Sequence, residues 1–351
     1  MEAKIVTATG IAFASIKAGK FRRDQAVGVS LLSKLLNPAT LRMNARDLAR
    51  VGQGIVGSLK IIRAYKPDVI FLKGGFVCLP VGLAARLLRV PYVIHESDVS
   101  PGLANRILSR WAKKIAVGFP TKSYPTFDKT RLVYVGNPVR PEILGAHRLA
   151  GLAAFNLSDK LPVVLVTGGS QGAAEINDCL IAALPELLER YQIIHQTGEG
   201  ELARIKFELG RQAALPQMNR YHPYAFLMKD MPLALAAADV IIGRAGVGTI
   251  SDSAALRKPT VLIPNNQMAA HQMANARMLA RMGAVRVIDN AQLTPERLVG
   301  EVRRILDNPD EAAQLGKAIG EFARPNAARE LASLVLESAR APQTKRGAGS
   351  E

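Results

Sequence analysis

The sequence predicts an α/β protein of two doubly wound, parallel-sheet domains, and three observations lead there. A chain of 351 residues exceeds what one hydrophobic core ordinarily organises and suits two domains of about 100–200 residues each. Short β-rich apolar runs alternate with longer stretches of helical period, the pattern of a parallel sheet covered on both faces. That alternation pauses over 146–160 and then starts again. In the first half the expected strands are 68–72 (DVIFL), 92–95 (YVIH), 114–117 (KIAV) and 132–135 (LVYV), with a helical stretch at 81–88. In the second half they are 163–167 (VVLVT), 193–196, 240–243 (VIIG), 260–263 (TVLI) and 285–288 (VRVI). The join is expected within 141–160, which divides the chain into a first domain over 1–144 and a second over 145–325. A helix over 326–340 is expected to return to the first domain, and the Gly-, Pro- and charge-rich end, 341–351, reads as a disordered tail. No repeat of fixed short period is present, so a solenoid is excluded.

Composition narrows the function classes. Cys78 and Cys179 stand far apart without CxxC or His spacing, which argues against a disulfide framework or a zinc site and points to a reducing, cytoplasmic compartment. No apolar run approaches the roughly 18–20 residues of a membrane span, and the start of the chain lacks the features of a signal peptide. Residues 1–150 hold 24 Lys or Arg against 8 Asp or Glu, whereas 151–351 hold 22 against 21, so nearly all of the +17 charge lies in the first half. Such asymmetry points to a polyanionic surface. Nucleic acid fits poorly, because the first half has few aromatic residues and no RRM, KH or zinc-finger pattern. The anionic headgroups of a cytoplasmic leaflet fit better. Within 21–66, Leu31, Leu32, Leu35 and Leu36 cluster at helical spacing among Arg22, Arg23, Lys34 and Arg42. That pattern serves an interfacial helix and serves equally a helix packed on the first sheet.

The polar motifs fall at the carboxyl ends of the expected strands. After 163–167 comes Thr167-Gly168-Gly169-Ser170-Gln171-Gly172, leading into a helix. Glycines there let backbone approach an anion, the helix start supplies free N–H groups, and Ser170 adds a hydroxyl. The run is neither a GxGxxG fingerprint nor a Walker loop; alone it is as often structural as functional. After 240–243 comes Gly243-Arg244-Ala245-Gly246-Val247-Gly248-Thr249-Ile250-Ser251-Asp252. Asp252 is expected in the first helical turn, where a carboxylate accepts hydrogen bonds from a ribose diol while the preceding N–H groups face a diphosphate. A plain helix-start acid favoured by the macrodipole is the alternative. Gln272 and Asn275 follow the next strand and share a helix face, with amides suited to sugar hydroxyls. Three such sites at successive strand ends define one crevice, the place where open parallel sheets bind ligands.

In the first half, Lys73-Gly74-Gly75-Phe76 follows one strand and His95-Glu96-Ser97-Asp98 ends the next. His95 and Glu96 are the acid–base candidates, although a lone His at a strand end is more often structural than catalytic. Gly136-Asn137-Pro138-Val139-Arg140 closes the last strand, and Arg140 suits either a phosphate or a structural acid.

Taken together, KGGFVCLPVGLAARLL, HESDVSPGLANRI, GNPVR, TGGSQGAAEIN, HQTG, RAGVGTISD and HQMANA, with the AGKFRR run at 18–23, resemble the MurG type of glycosyltransferase. The resemblance covers roughly residues 11–340. It implies two Rossmann-like domains of the GT-B architecture and a peripheral place on the cytoplasmic face of the membrane. It implies transfer of GlcNAc from UDP-GlcNAc to the C4 hydroxyl of MurNAc in lipid I, with inversion, no cofactor and no metal. Implied partners are UDP-GlcNAc, lipid I, an anionic inner-leaflet surface and cell-wall synthesis proteins. The nucleotide-sugar contacts it implies are Asp98, Arg140, Ser170, Met228, the loop residues Val247, Gly248, Thr249, Ile250, Ser251 and Asp252, and Gln272, with Lys73, Gly74, Gly75 and Phe76 on the acceptor side.

Three departures qualify the resemblance. Asp98 stands where Asn is frequent, and Asp252 where Glu normally holds the ribose, so ribose affinity is the property in question. The family opens with a strand and a GGTGGH-like loop carrying a histidine often proposed as base, and the first residues here already resemble the strand leading into AGKFRR. The expectation is therefore that the family's first β-α-β unit is absent, through a truncated gene model or a late start codon. Its loss would leave a parallel sheet with unpaired backbone groups. Two other readings stay open: a UDP-sugar transferase acting on another lipid acceptor, and an inactive, membrane-docked protein that binds nucleotide sugars.

Overall fold

The computed structural model describes residues 6–7, 9–19, 38–169, 172–211, 216–265 and 270–339, without the side chains of 38–45 and 211. The leucine cluster 31–36, the charges of Arg22, Arg23, Lys34 and Arg42, the loop residue Ser170 and the tail 341–351 lie outside those described residues. Two compact units are present. One comprises Met1–Ser97, Pro101–Tyr134 and Glu330–Glu351; the other comprises Asp98–Ser100 and Val135–Arg329.

The first unit carries a parallel sheet in the order β1-β2-β3-β4, formed by Ile70–Leu72, Tyr92–Glu96, Lys114–Val117 and Leu132–Tyr134. Ile94 sits opposite Leu72 on one side and Ile115 on the other. The central strand β2 is buried along its whole length, as its unbroken apolar run requires of a strand covered on both faces. Helix Pro38–Tyr65 packs on helix Cys78–Leu87. The latter begins three residues before the stretch read from periodicity, with Pro80 tolerated in its first turn because the N–H groups there have no intrahelical acceptor.

The second unit holds six parallel strands: β5 Val163–Thr167, β6 Gln192–Gln196, β7 Tyr221–Tyr224, β8 Val240–Gly243, β9 Thr260–Leu262 and β10 Arg286–Val287. Their order is β10-β9-β8-β5-β6-β7. The chain winds outward from β5 through β6 to β7, then resumes on the other flank of β5 with β8, so the switch point lies between β5 and β8. The strand period of two sorts β5 between two cores. Val164 and Val166 meet Ile176, Leu180 and Leu298, while Val163 and Leu165 meet Ile143, Leu152 and Leu235. All are at most 4% exposed, and each such side chain contributes roughly 1.5–3 kcal/mol by burial.

Two features differ from the sequence reading. Strand β7 (YHPY) escapes the apolar-run criterion because it is short, polar and contains Pro223; a proline that cannot donate to a ladder is tolerated here because β7 is the edge strand. The join expected within 141–160 is instead folded as helices Pro141–Leu144 and Arg148–Ala154, with Ile143, Leu152 and Phe155 in the core of the second unit. Residues from Val135 onward accordingly group with the second unit rather than with a first domain ending at 144.

Candidate functional site

The crevice at the switch point is a cavity of about 780 Å³, within the range of small-molecule and cofactor sites. Its walls follow from the loops leaving β5 and β8. On the β5 side are Thr167, Gly168, Gly169 and Gly172; on the β8 side are Arg244, Gly246, Gly248, Thr249 and Asp252. Phe226, Leu227, Met228 and Met231 make one end apolar, and Arg140, Gln272 and Asn265 add polar groups. Of the contacts the resemblance implies, Arg140, Met228, Gly248, Thr249, Asp252 and Gln272 line this cavity, whereas Asp98, Val247, Ile250 and Ser251 are not among its lining residues. Ser170 falls outside the described residues, and Ile250 is buried in the helix behind the cavity.

Helix Val247–Ala255 starts after Gly246, whose backbone is extended. The first intrahelical bond on its N-terminal turn is Ile250 N to Gly246 O, 3.1 Å, so the N–H groups of Val247, Gly248 and Thr249 are left without helical acceptors beside the cavity. Such a helix start favours an anion. Asp252 lies one turn deeper than expected, as the sixth helical residue, so it is not a helix-start acid. Burial pushes its carboxyl up to about 6, against the opposing pull of Arg140. Arg140 is exposed and donates from Nη1 to the Met228 carbonyl at 3.0 Å. Gln272 accepts from Asn265 N through Oε1 at 3.0 Å and lines the same cavity.

Asn275 does not take the role expected of it. It is fully buried, and its amide is spent on Asp98 Oδ1 (2.8 Å), Ala245 O (3.2 Å) and Val99 N (2.9 Å). Asp98, which groups with the second unit, is thereby fixed by Asn275 and does not line the cavity.

Arg244 has a role that the sequence alone does not assign. Its guanidinium donates to Glu175 (2.7 Å), Asn290 Oδ1 (2.8 Å) and the Ile263 carbonyl (3.3 Å). It thus ties the first turn of helix Ala174–Leu187 to the end of β9, and burial lowers its pKa against the raising effect of Glu175. An arginine inside a glycine-rich turn was the available signal.

In the first unit, Lys73 Nζ reaches Ser97 Oγ at 3.3 Å, and Phe76 is exposed. Glu96 is 5% exposed and its Oε2 accepts from Gly102 N and Asn105 Nδ2, both at 2.9 Å. That carboxylate anchors the start of helix Leu103–Leu108. His95 is fully buried, with Nδ1 3.4 Å from Ser97 Oγ. Both acid–base candidates are buried, and each has a polar partner within residues 97–105.

Comparison with known proteins fits this geometry. Residues 163–331 match the glycosyltransferase family 28 C-terminal domain and residues 1–117 the family 28 N-terminal domain. A Bacillus cereus protein named UDP-N-acetylglucosamine--N-acetylmuramyl-(pentapeptide) pyrophosphoryl-undecaprenol N-acetylglucosamine transferase 2 is 37% identical over 310 residues, 88% of this chain and 81% of that one. The Symbiobacterium thermophilum transferase of the same name, without the final numeral, is 37% identical over 349 residues, 99% of this chain and 88% of that one. Among solved structures, Acinetobacter baumannii MurG superposes with a TM-score of 0.70 at 27% identity, covering 96% of this chain and 88% of that one. A Listeria monocytogenes protein described as a UDP-N-acetylglucosamine 2-epimerase shares the fold at 13% identity, with a TM-score of 0.62 over 84% of this chain and 81% of that one.

Proposed function

The chain belongs to glycosyltransferase family 28, and from that membership we propose that it transfers GlcNAc from UDP-GlcNAc to the C4 hydroxyl of MurNAc in lipid I, giving lipid II. The observation that carries the reading is the cavity between β5 and β8, with an apolar end, a buried carboxylate and a helix start facing one space. These three features suit in turn a pyrimidine, a ribose diol and a diphosphate. In the transfer the C4 oxygen bonds to C1 of GlcNAc as the C1–O bond to phosphate breaks, and the electron pair leaves with UDP. The hydroxyl proton passes to a base. The N–H groups of Val247, Gly248 and Thr249 oppose the charge that grows on the departing diphosphate, and one such donor is commonly worth about 10²–10³ in rate.

Incubation with labelled UDP-GlcNAc and a soluble lipid I analogue is expected to give the labelled disaccharide with inverted configuration at C1. Label appearing on diacylglycerol and not on lipid I would favour the other lipid transferase. UDP binding without transfer to either would favour the inactive binding protein.

Membrane attachment belongs to the same proposal. No helix among the described residues is long and apolar enough to cross a membrane. The excess positive charge of the first half supports a peripheral, electrostatic attachment to the anionic cytoplasmic leaflet, and Leu87, Leu103 and Trp111 expose apolar surface there. The chain is expected to sediment with anionic vesicles at low salt and to be released near ~1 M salt, where the Debye length falls to about 3 Å. Neutralising Arg22, Arg23, Lys34 and Arg42 together is expected to weaken the sedimentation. Equal binding to zwitterionic vesicles at both salt concentrations would sink the electrostatic reading.

A further inference from the structure

Strand β6 ends in His195 and Gln196, and Thr197 follows it; all three polar residues are at most 2% exposed. Buried polar groups are kept only where they are hydrogen-bonded, so the partners of these three residues reveal what the strand end does. His195 is a closed case: burial holds its imidazole well below the usual range, to about 3. Asn177 Nδ2 donates to Thr197 O, which leaves Asn177 Oδ1 as acceptor at 3.1 Å from His195 Nε2, and Tyr221 Oη donates to Nδ1 at 2.8 Å. Those bonds all stay within the core beneath the cavity.

Gln196 is different, because it lines the cavity and its amide bonds to two of the segments that form the walls. Nε2 donates to Thr167 Oγ1 at 3.2 Å and to the Gly169 carbonyl at 3.1 Å, both on the glycine-loop wall. Oε1 accepts from Leu227 N at 3.0 Å, on the apolar wall that carries Phe226 and Met228. Both amide hydrogens and the carbonyl are thus committed to backbone or hydroxyl groups of two separate loops. Thr167 Oγ1 also accepts from Gly169 N at 3.2 Å, which closes the glycine-loop side of the bracket.

We propose that Gln196 is a positioning residue that fixes the spacing between the glycine loop and the 226–228 wall, and thereby pre-forms the slot for the nucleoside end of a nucleoside-diphosphate sugar. The inference rests on the proposed donor site. It adds a determinant of donor affinity that need not touch the donor. A gap held open before binding spares the ordering cost that a loose wall would levy on each association. An alkyl side chain of similar length would fill the same volume and release both loops.

The test is Gln196→Met in the full chain, with UDP affinity by calorimetry and steady-state transfer from UDP-GlcNAc. The expected result is a rise of about tenfold in Kd for UDP and in KM for the donor, with kcat within about twofold of the parent. Gln196→Glu keeps the acceptor for Leu227 N but removes both donors, and is expected to weaken UDP at least as much. Unchanged Kd and KM in a folded Gln196→Met chain would overturn the proposal, as would a loss confined to kcat. Protection of the Leu227 amide against hydrogen exchange, read without ligand on the parent and on whichever variant folds, is expected to fall about tenfold. Unchanged protection would overturn the bracket whether or not UDP binds. Failure of the parent chain itself to bind UDP would instead refute the proposed donor site.

Discussion

Gly172→Ala is expected to remove measurable UDP binding and to lower the melting temperature of the second unit by roughly 5–15 °C. Two costs combine at this residue. Its φ is +77°, a conformation that costs a residue with a Cβ about 1–2 kcal/mol. A Cβ there would also lie far inside contact distance of the Thr197 carbonyl oxygen and close to Gly198 Cα, both backbone. Neither can rotate away. Thr197 O is itself held as the acceptor of Asn177 Nδ2 at 3.0 Å, and Thr197 N is bonded to Tyr224 O at 2.9 Å. The loop must therefore move, and it forms one wall of the cavity. Gly169→Ala is the internal control: φ is +85°, but a Cβ there meets no atom of the described residues beyond its chain neighbours within 4 Å. It is expected to lower stability by only about 1–2 kcal/mol, the torsional share alone. Should the two alanine variants melt together and bind UDP equally well, the packing account of the loop is wrong.

How far the sequence disclosed this arrangement depended on the kind of signal. Strands β2, β5, β8 and β9 were legible because each is an apolar run buried on both faces, and such runs have no other stable environment in a chain of this composition. Strand β7 was not legible, since an edge strand lacks that requirement and YHPY satisfies no period. The glycine loops and Asp252 could be placed at strand ends by spacing, but the role of Asn275 could not. Its amide suits a sugar hydroxyl as well as it suits Asp98, and only the fold decides between them. Gln196 and Arg244 were overlooked for a related reason. A polar residue closing an apolar strand and an arginine in a glycine turn announce that a partner exists, but not which one. Acid–base candidates are read from chemistry alone, and burial is the property that chemistry does not carry: His95 and Glu96 are both buried.

Replacing Asp252 should separate binding from stability, in opposite directions. Asp252→Ala is expected to weaken UDP by about 1.5–3 kcal/mol, the scale of hydrogen bonds to a charged group, which is roughly 10- to 150-fold in Kd. Because burial raises the folded carboxyl to about 6, the charged form that accepts from a ribose diol is depleted as pH falls through 6. UDP affinity of the unaltered chain is therefore expected to decline between pH 7.5 and 5, and the decline should be absent from Asp252→Asn. The stability effect has the other sign. An unfolded aspartate titrates near ~3.9, so below that pH both states are protonated and the residue contributes nothing. Between about 4 and 6 the unfolded chain loses its proton while the folded chain keeps it, and stability falls as pH rises; above about 6 the penalty is constant. Asp252→Asn, neutral at every pH, escapes that penalty. Its melting temperature is expected to exceed that of the parent by a few degrees at pH 7.5 and to match it near pH 4. A site that sacrifices stability for a ligand contact behaves in this way. If Asp252→Asn retained parental UDP affinity and gained no stability at pH 7.5, the ionised carboxylate would be neither buried at a cost nor used by the donor.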